Sequence, residues 1–207
     1  MSAGNRLRTR FEDFLDKSCG LCLARERILE AATGHVLELG GETGANLALY
    51  PRTITSITSL VGSRAGQAAI RRAARHLPFS VDRREGRLDA MPVKDEAYDT
   101  VVSTFALSRT ALRDEMLREI RRVLRPGGRL LFIEHGLSAD PAIARQQLRW
   151  SWLNRLLNGT PQPLPGTDEL ITTAGFELRH FEENLLERVP RWLGCVHEGI
   201  ALAPAVS

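Results

Sequence analysis

Two rhythms of apolar residues alternate along this chain. Short β-type runs such as His35-Val-Leu-Glu-Leu39 and Arg129-Leu-Leu-Phe-Ile-Glu134 are separated by stretches with helical spacing. The pattern predicts helix from Arg6 to Ala32, broken near Ser18-Cys19-Gly20, then a strand at His35–Leu39 and a helix from Ala45. A second strand is expected over Ile54–Val61, a helix over Arg64–His76, a third strand over Phe79–Arg83 and a fourth over Tyr98–Ser103. Ala111–Leu124 is amphipathic and should end at Pro126-Gly-Gly128, ahead of a fifth strand over Arg129–Glu134.

Beyond that point the rhythm changes. Pro141–Asn158 reads as a helix carrying Trp150 and Trp152, and Asn158–Gly166, with three prolines and two glycines, reads as a loop. A short helix over Asp168–Ala174 precedes two strands, Phe176–Phe181 and Cys195–Ala203, expected to pair as an antiparallel hairpin. Strands alternating with helices predict an α/β architecture with a largely parallel sheet covered on both faces. The 207 residues are expected to form one domain. Residues 1–33 would be an N-terminal helical segment, 34–136 the core, and 137–207 a cap helix with the final strands.

Composition narrows the function classes. The net charge of +3 comes from 28 basic and 25 acidic residues, with arginine scattered, so no nucleic-acid partner is expected. No apolar run approaches the roughly 20 residues of a membrane span, and no apolar signal core follows Met1, so a soluble cytoplasmic protein is expected. Cys19-Gly-Leu-Cys22 is a single C-x-x-C with no preceding strand. Cys195 and His197 lie too close for a zinc-finger pair, so reduced thiols and no metal are expected.

Chemistry concentrates where Val36-Leu-Glu-Leu-Gly40-Gly-Glu-Thr-Gly44 carries a strand into a glycine-rich turn. Glycines let a backbone approach a ligand closely, and Glu38 sits at the strand's carboxyl end, where open α/β sheets bind ligands. A tight turn with no ligand is the alternative reading of this segment alone.

The order of motifs resembles class I S-adenosylmethionine-dependent methyltransferases, closest to the UbiE-like, type 11 branch. The resemblance rests on Gly34-His-Val-Leu-Glu-Leu-Gly40, Gly44-Ala-Asn-Leu-Ala-Leu-Tyr-Pro51, Gly86-Arg-Leu-Asp-Ala-Met-Pro92, Asp99-Thr-Val-Val-Ser103 and Leu117 through His135. It covers residues 25–136 well and the last 70 loosely. It implies a Rossmann-like fold with a seven-stranded, mostly parallel sheet, and S-adenosyl-L-methionine as cofactor. By the same resemblance Glu38, Gly40, Gly41, Glu42, Gly44 and Asn46 would line the methionine and ribose end. Asp89, Ala90 and Met91 would meet the adenine, and Ser103 would lie near the sulfonium. Thr104 would face the acceptor.

Three positions depart from the family pattern. Glu42 stands where a third glycine is usual, Val61 where an acid grips both ribose hydroxyls, and Arg87 where many relatives have Asp. If Glu42 needs a positive φ it is strained, and its charge opposes the ligand's carboxylate, which predicts weak cofactor binding. Methyl transfer needs alignment and water exclusion more than acid–base chemistry. His135, after the fifth strand, is the candidate base for a weakly acidic acceptor, with Glu134 the other candidate. A backbone hydrogen bond is the plainer reading of His135. Trp150 and Trp152 are expected to cover an apolar acceptor, or simply to pack their helix on the sheet. Two function classes remain. One is a methyltransferase acting on a small, partly apolar molecule at an O, N, S or C atom. The other is a methyltransferase-fold protein without ordinary cofactor binding, acting as a binding partner or in a non-methyl reaction.

Overall fold

A computed structural model describes residues 19–156, 162–187 and 189–205. Helix α1 spans Cys19–Leu29, followed by β1 (His35–Leu39), β2 (Ser56–Leu60), α2 (Arg64–Ala73), β3 (Ser80–Arg84) and β4 (Tyr98–Thr104). Then come α3 (Arg113–Val123), β5 (Leu124–His135), α4 (Pro141–Leu156), α5 (Thr167–Thr173), β6 (Glu177–Leu185) and β7 (Cys195–Leu202). The expected helical start at Arg6 lies outside the described residues, as do the side chain of Trp152 and part of the Asn158–Gly166 loop.

The seven strands form one sheet in the order β3-β2-β1-β4-β5-β7-β6. Pairings from β3 through β5 are parallel, and β7 runs antiparallel to both β5 and β6. The seven-stranded, mostly parallel α/β sheet is therefore present, and the final hairpin closes it. Crossing from β1 to β4 places their carboxyl ends side by side, with Leu39 opposite Ser103.

Each face of the sheet carries its own apolar cluster. Leu21 and Ile28 of α1 and Ile70 of α2 pack with Val36, Ile57, Val102 and Ile133 on one face. Met116, Leu117 and Ile120 of α3 and Ile171 of α5 pack with Leu37, Leu39, Val101 and Phe132 on the other. Because strand side chains alternate, this assignment fixes the direction of every functional group at the strand ends. Glu38 and His135 belong to the α1/α2 face. Ser103 and Glu134 belong to the α3/α5 face.

The helix expected from Ala45 does not form. Only six residues separate Gly44 from Pro51, and the segment closes with tight turns, Leu47 N–H to the Gly44 carbonyl at 3.2 Å and Leu49 N–H to the Asn46 carbonyl at 2.9 Å. Proline disfavours helical backbone in the residue before it, so a regular helix has no room to propagate. β5 also starts earlier than expected. Leu124 already pairs with Tyr98, and Arg125–Gly128 bulge out before Arg129 pairs with Thr100.

Candidate functional site

Gly40 and Gly44 both adopt left-handed backbone, with φ of +81° and +74°. A Cβ on Gly40 would lie 2.1 Å from the Thr104 carbonyl, so only glycine lets the end of β1 press against the end of β4. Gly41 passes over Glu38, where a Cβ would meet the carboxylate at 2.5–2.8 Å. Glu38 is fully buried and accepts hydrogen bonds from the Tyr50 hydroxyl (3.4 Å) and the Ser59 hydroxyl (3.2 Å). Burial pushes its carboxyl up to about 7, against the pull of Asn46, Ser59, Tyr50 and the Arg25 charge. The Asn46 amide donates to Thr104 Oγ1 at 3.0 Å, and its Oδ1 is buried without a hydrogen bond.

Glu42 departs from the sequence expectation. Positive φ in this turn falls on Gly40 and Gly44 and not on Glu42, so the predicted backbone strain is absent. Its carboxylate accepts the Ser63 hydroxyl at 2.9 Å, which brings it to the carboxyl end of β2. Val61, at that same end, is buried among apolar neighbours. Next to it Gly62 faces open space, with nothing within 4 Å of where a Cβ would stand.

Glu134 has a different task from the one its position suggests. Its buried carboxylate accepts the Ser103 hydroxyl at 2.6 Å and the backbone N–H groups of Ala106 (3.1 Å), Leu107 (3.1 Å) and Ser108 (3.0 Å). Burial raises its carboxyl above the usual range, while the bonds from Ser103, Ser108 and Leu107 pull it back. Glu134 therefore anchors the turn after β4, and its acceptor capacity is filled. Ser103 is committed to the same network on the α3/α5 face, away from Glu38. The anchored turn begins with Phe105, one of two non-glycine residues with positive φ among those described, at +53°. Such strain persists only where its surroundings impose it, and here Glu134 does so.

His135, one residue on, points to the opposite face and meets Phe105 edge-on at 6.4 Å. Its Nδ1 lies 3.0 Å from the Cys195 carbonyl. A carbonyl only accepts, so Nδ1 carries the proton and Nε2 carries the lone pair. Burial lowers the imidazole to about 4, which keeps it neutral near pH 7.

The remaining sequence candidates lie apart. Met91 is buried in the α3-side core, and its N–H donates to Glu119 at 2.7 Å. Asp89 accepts hydrogen bonds from Nε and Nη2 of Arg87, so the two charges are paired. Asp89, Ala90 and Met91 line an open pocket of about 660 Å³ after β3, to which neither Glu38 nor His135 contributes. Trp150 is exposed and stacks on Trp192 at 5.7 Å. Sequence reasoning missed Tyr50, Ser59, Ser63, Phe105 and Trp192. Tyr50 lies inside the Gly44–Pro51 motif, whose glycine is the signal, while the other four fall outside any motif and are placed only by the fold.

Comparison with known proteins agrees with this architecture. The family model described as a methyltransferase domain matches residues 37–132. The ubiquinone/menaquinone biosynthesis C-methyltransferase UbiE of Rubrivivax gelatinosus is 34% identical over 189 residues, covering 83% of this chain and 72% of that protein. Among solved structures, the complex between the Haloferax volcanii Trm112 methyltransferase activator and a methyltransferase contains a chain that superposes with a TM-score of 0.75. It shares 17% identity and covers 98% of this chain and 96% of that one. A SAM-dependent methyltransferase from Methanosarcina mazei gives a TM-score of 0.66 at 18% identity, covering 83% and 93%. The glycine turn at the β1–β4 junction, the sheet order and the sequence relationship lead to one assignment: the chain belongs to the class I S-adenosylmethionine-dependent methyltransferases.

Proposed function

We propose that this methyltransferase binds S-adenosyl-L-methionine across the carboxyl ends of β1, β2 and β4 and methylates a small, partly apolar molecule held beneath α4. The left-handed Gly40–Gly44 turn, pressed against Thr104, carries this reading, because a backbone so close to two strand ends leaves space above it for a ligand. The residues present fit the cofactor. Asn46 Oδ1 is a buried acceptor without a partner, Gly62 opens the end of β2, and Glu42 brings a carboxylate there. When bound, the cofactor supplies a methyl group already activated by its sulfonium. The chain's own residues position and desolvate.

Glu42 is assigned the hydroxyl-binding task that Val61 cannot perform. Hydrogen bonds to a carboxylate contribute roughly 1.5–3 kcal/mol each, and the cofactor is cationic overall. Asp89, Ala90 and Met91 are assigned to the adenine edge, and Thr104 and Trp150 to the acceptor side. His135, held neutral with its lone pair on Nε2, is assigned to accept a hydrogen bond from the acceptor and orient it, since an imidazole that titrates at about 4 would take a proton only from a comparably acidic group.

Isothermal titration with S-adenosylhomocysteine tests this reading. Wild-type protein should bind one equivalent in the micromolar range, and Glu42→Gly should weaken binding at least about ten-fold, or roughly 1.4 kcal/mol. Tighter binding by Glu42→Gly would instead mean that this side chain obstructs the cofactor. A second reading, in which the fold persists without the cofactor, is favoured by the apolar Val61 at the end of β2. A folded wild-type protein that binds neither S-adenosylmethionine nor S-adenosylhomocysteine would establish it.

A further inference from the structure

The final hairpin gathers three side chains of metal-ligating type on one face. Glu183 of β6 pairs in register with His197 of β7, and Cys195 lies two residues before His197. A carboxylate oxygen, the thiol sulfur and an imidazole nitrogen all lie within 4.8 Å of one another. His197 is buried, and its Nε2 has no hydrogen bond. Buried polar atoms are rarely left in this state, so the atom calls for a partner.

The surroundings orient each group. Nδ1 of His197 lies 2.7 Å from the buried Thr167 hydroxyl. Nε2 faces Glu183 Oε2 3.6 Å away, and with a cation between them Nδ1 would donate to the Thr167 oxygen and Nε2 would present its lone pair to the metal. That distance is too long for a hydrogen bond. It is close to the edge of a tetrahedron whose centre bonds both atoms at about 2.0–2.2 Å. Glu183 is itself fixed, accepting the Ser138 hydroxyl at 2.7 Å and the Ala139 N–H at 2.9 Å. Gly136 makes the space for the imidazole, since a Cβ there would fall 2.1 Å from the ring. Partners of this kind set the tautomer and direction of metal ligands.

We propose that Glu183, Cys195 and His197 form a binding site for a zinc-class divalent cation, tying the β6–β7 hairpin to the turn that leads from β5 into α4. A thiolate, an imidazole and a carboxylate favour zinc or cobalt over magnesium or calcium. Three protein ligands leave the fourth position to water. The cation binds the thiolate, so its binding releases the Cys195 proton to solvent, with no change of oxidation state. The site lies one strand from the proposed acceptor side, because the Cys195 carbonyl accepts the hydrogen bond from His135 Nδ1–H.

Cobalt titration of the metal-stripped full chain tests the proposal. One equivalent of Co²⁺ should give a thiolate-to-cobalt charge-transfer band with intense tetrahedral visible bands, and Zn²⁺ should bleach both. The band should survive in Cys19→Ser/Cys22→Ser and vanish in Cys195→Ser. In Thr167→Val, which leaves all three ligands in place, affinity should fall about ten-fold or more. Zinc should also raise the thermal midpoint of the wild type and not that of Cys195→Ser. Should Cys195→Ser fail to fold, retention of the band in Cys19→Ser/Cys22→Ser still assigns it to Cys195, the one other cysteine in the sequence. The absence of a charge-transfer band in the wild type, its survival in Cys195→Ser, or its loss in Cys19→Ser/Cys22→Ser would overturn the proposal.

Discussion

Burial of Glu38 gives the folded protein a measurable pH dependence. Its carboxyl titrates near 7 when folded and near an ordinary 4.5 when unfolded. Below the lower value both states hold the proton. Between the two, the unfolded chain releases it while the folded chain retains it, so stability falls as pH rises. The slope is about 1.4 kcal/mol per pH unit, and the total loss is about 3 kcal/mol. Glu38→Gln removes this contribution and keeps a similar shape. Urea denaturation across this range should show wild type losing stability relative to the variant by about that amount as pH rises. Parallel curves would mean that Glu38 is ionised in the folded protein at acidic pH. His135 shifts the other way. Its folded value of about 4 lies below the ordinary 6.5, so its contribution is lost as pH falls through that interval.

At the scale of elements, the β1–β4 junction depends on one glycine. Gly40→Ala places a Cβ into the Thr104 carbonyl and adds the cost of a left-handed backbone at φ +81°. Left-handed backbone costs roughly 1–2 kcal/mol, and overpacking a further 1–3. Gly127→Ala is the control, because Gly127 has a similar φ of +72° but open space around it. Chemical denaturation should show Gly40→Ala destabilised by at least about 1 kcal/mol more than Gly127→Ala, and cofactor binding lost only in the former. Equal costs would mean that the junction relaxes. This junction was legible in the sequence because glycine spacing records backbone demands directly. So were the inner strands, whose apolar runs record burial on both faces, whereas the edge strands β3 and β6 are largely exposed. The direction of a strand-end side chain was not legible. Glu134 and His135 are adjacent, and a shift of one residue in register exchanges their faces. Whether a buried carboxylate meets a ligand or a backbone turn depends on where the next loop folds, and Phe105's strained conformation is set by that loop. The missing helix after Gly44 could have been anticipated from the distance to Pro51.

Over the whole molecule, α4 meets the rest of the fold, among the described residues, through buried Ile143, polar anchors and an aromatic stack. Buried Gln147 of α4 accepts the Ser138 N–H at 2.8 Å and donates to the Gly136 carbonyl at 2.8 Å, which holds the helix across the carboxyl end of β5. Further along α4, Trp150 stacks on Trp192, a residue of the segment between β6 and β7. The stack therefore joins α4 to the hairpin. An aromatic pair contributes about 0.5–1.5 kcal/mol beyond its burial, and Trp150 is 41% exposed, so its removal should cost little stability. Trp150→Ala should then lower folding stability by no more than about 1.5 kcal/mol and leave S-adenosylhomocysteine affinity unchanged. If the cap covers the acceptor, the acceptor's KM should rise several-fold, because a loosened cap excludes less water and offers less apolar contact. Trp192→Ala should do the same, and the double variant should add little, since either substitution alone breaks the stack. Steady-state kinetics at saturating cofactor separates the two roles of the helix. Unchanged KM in all three variants, with only stability altered, would show that the stack fastens α4 to the hairpin and takes no part in holding the acceptor.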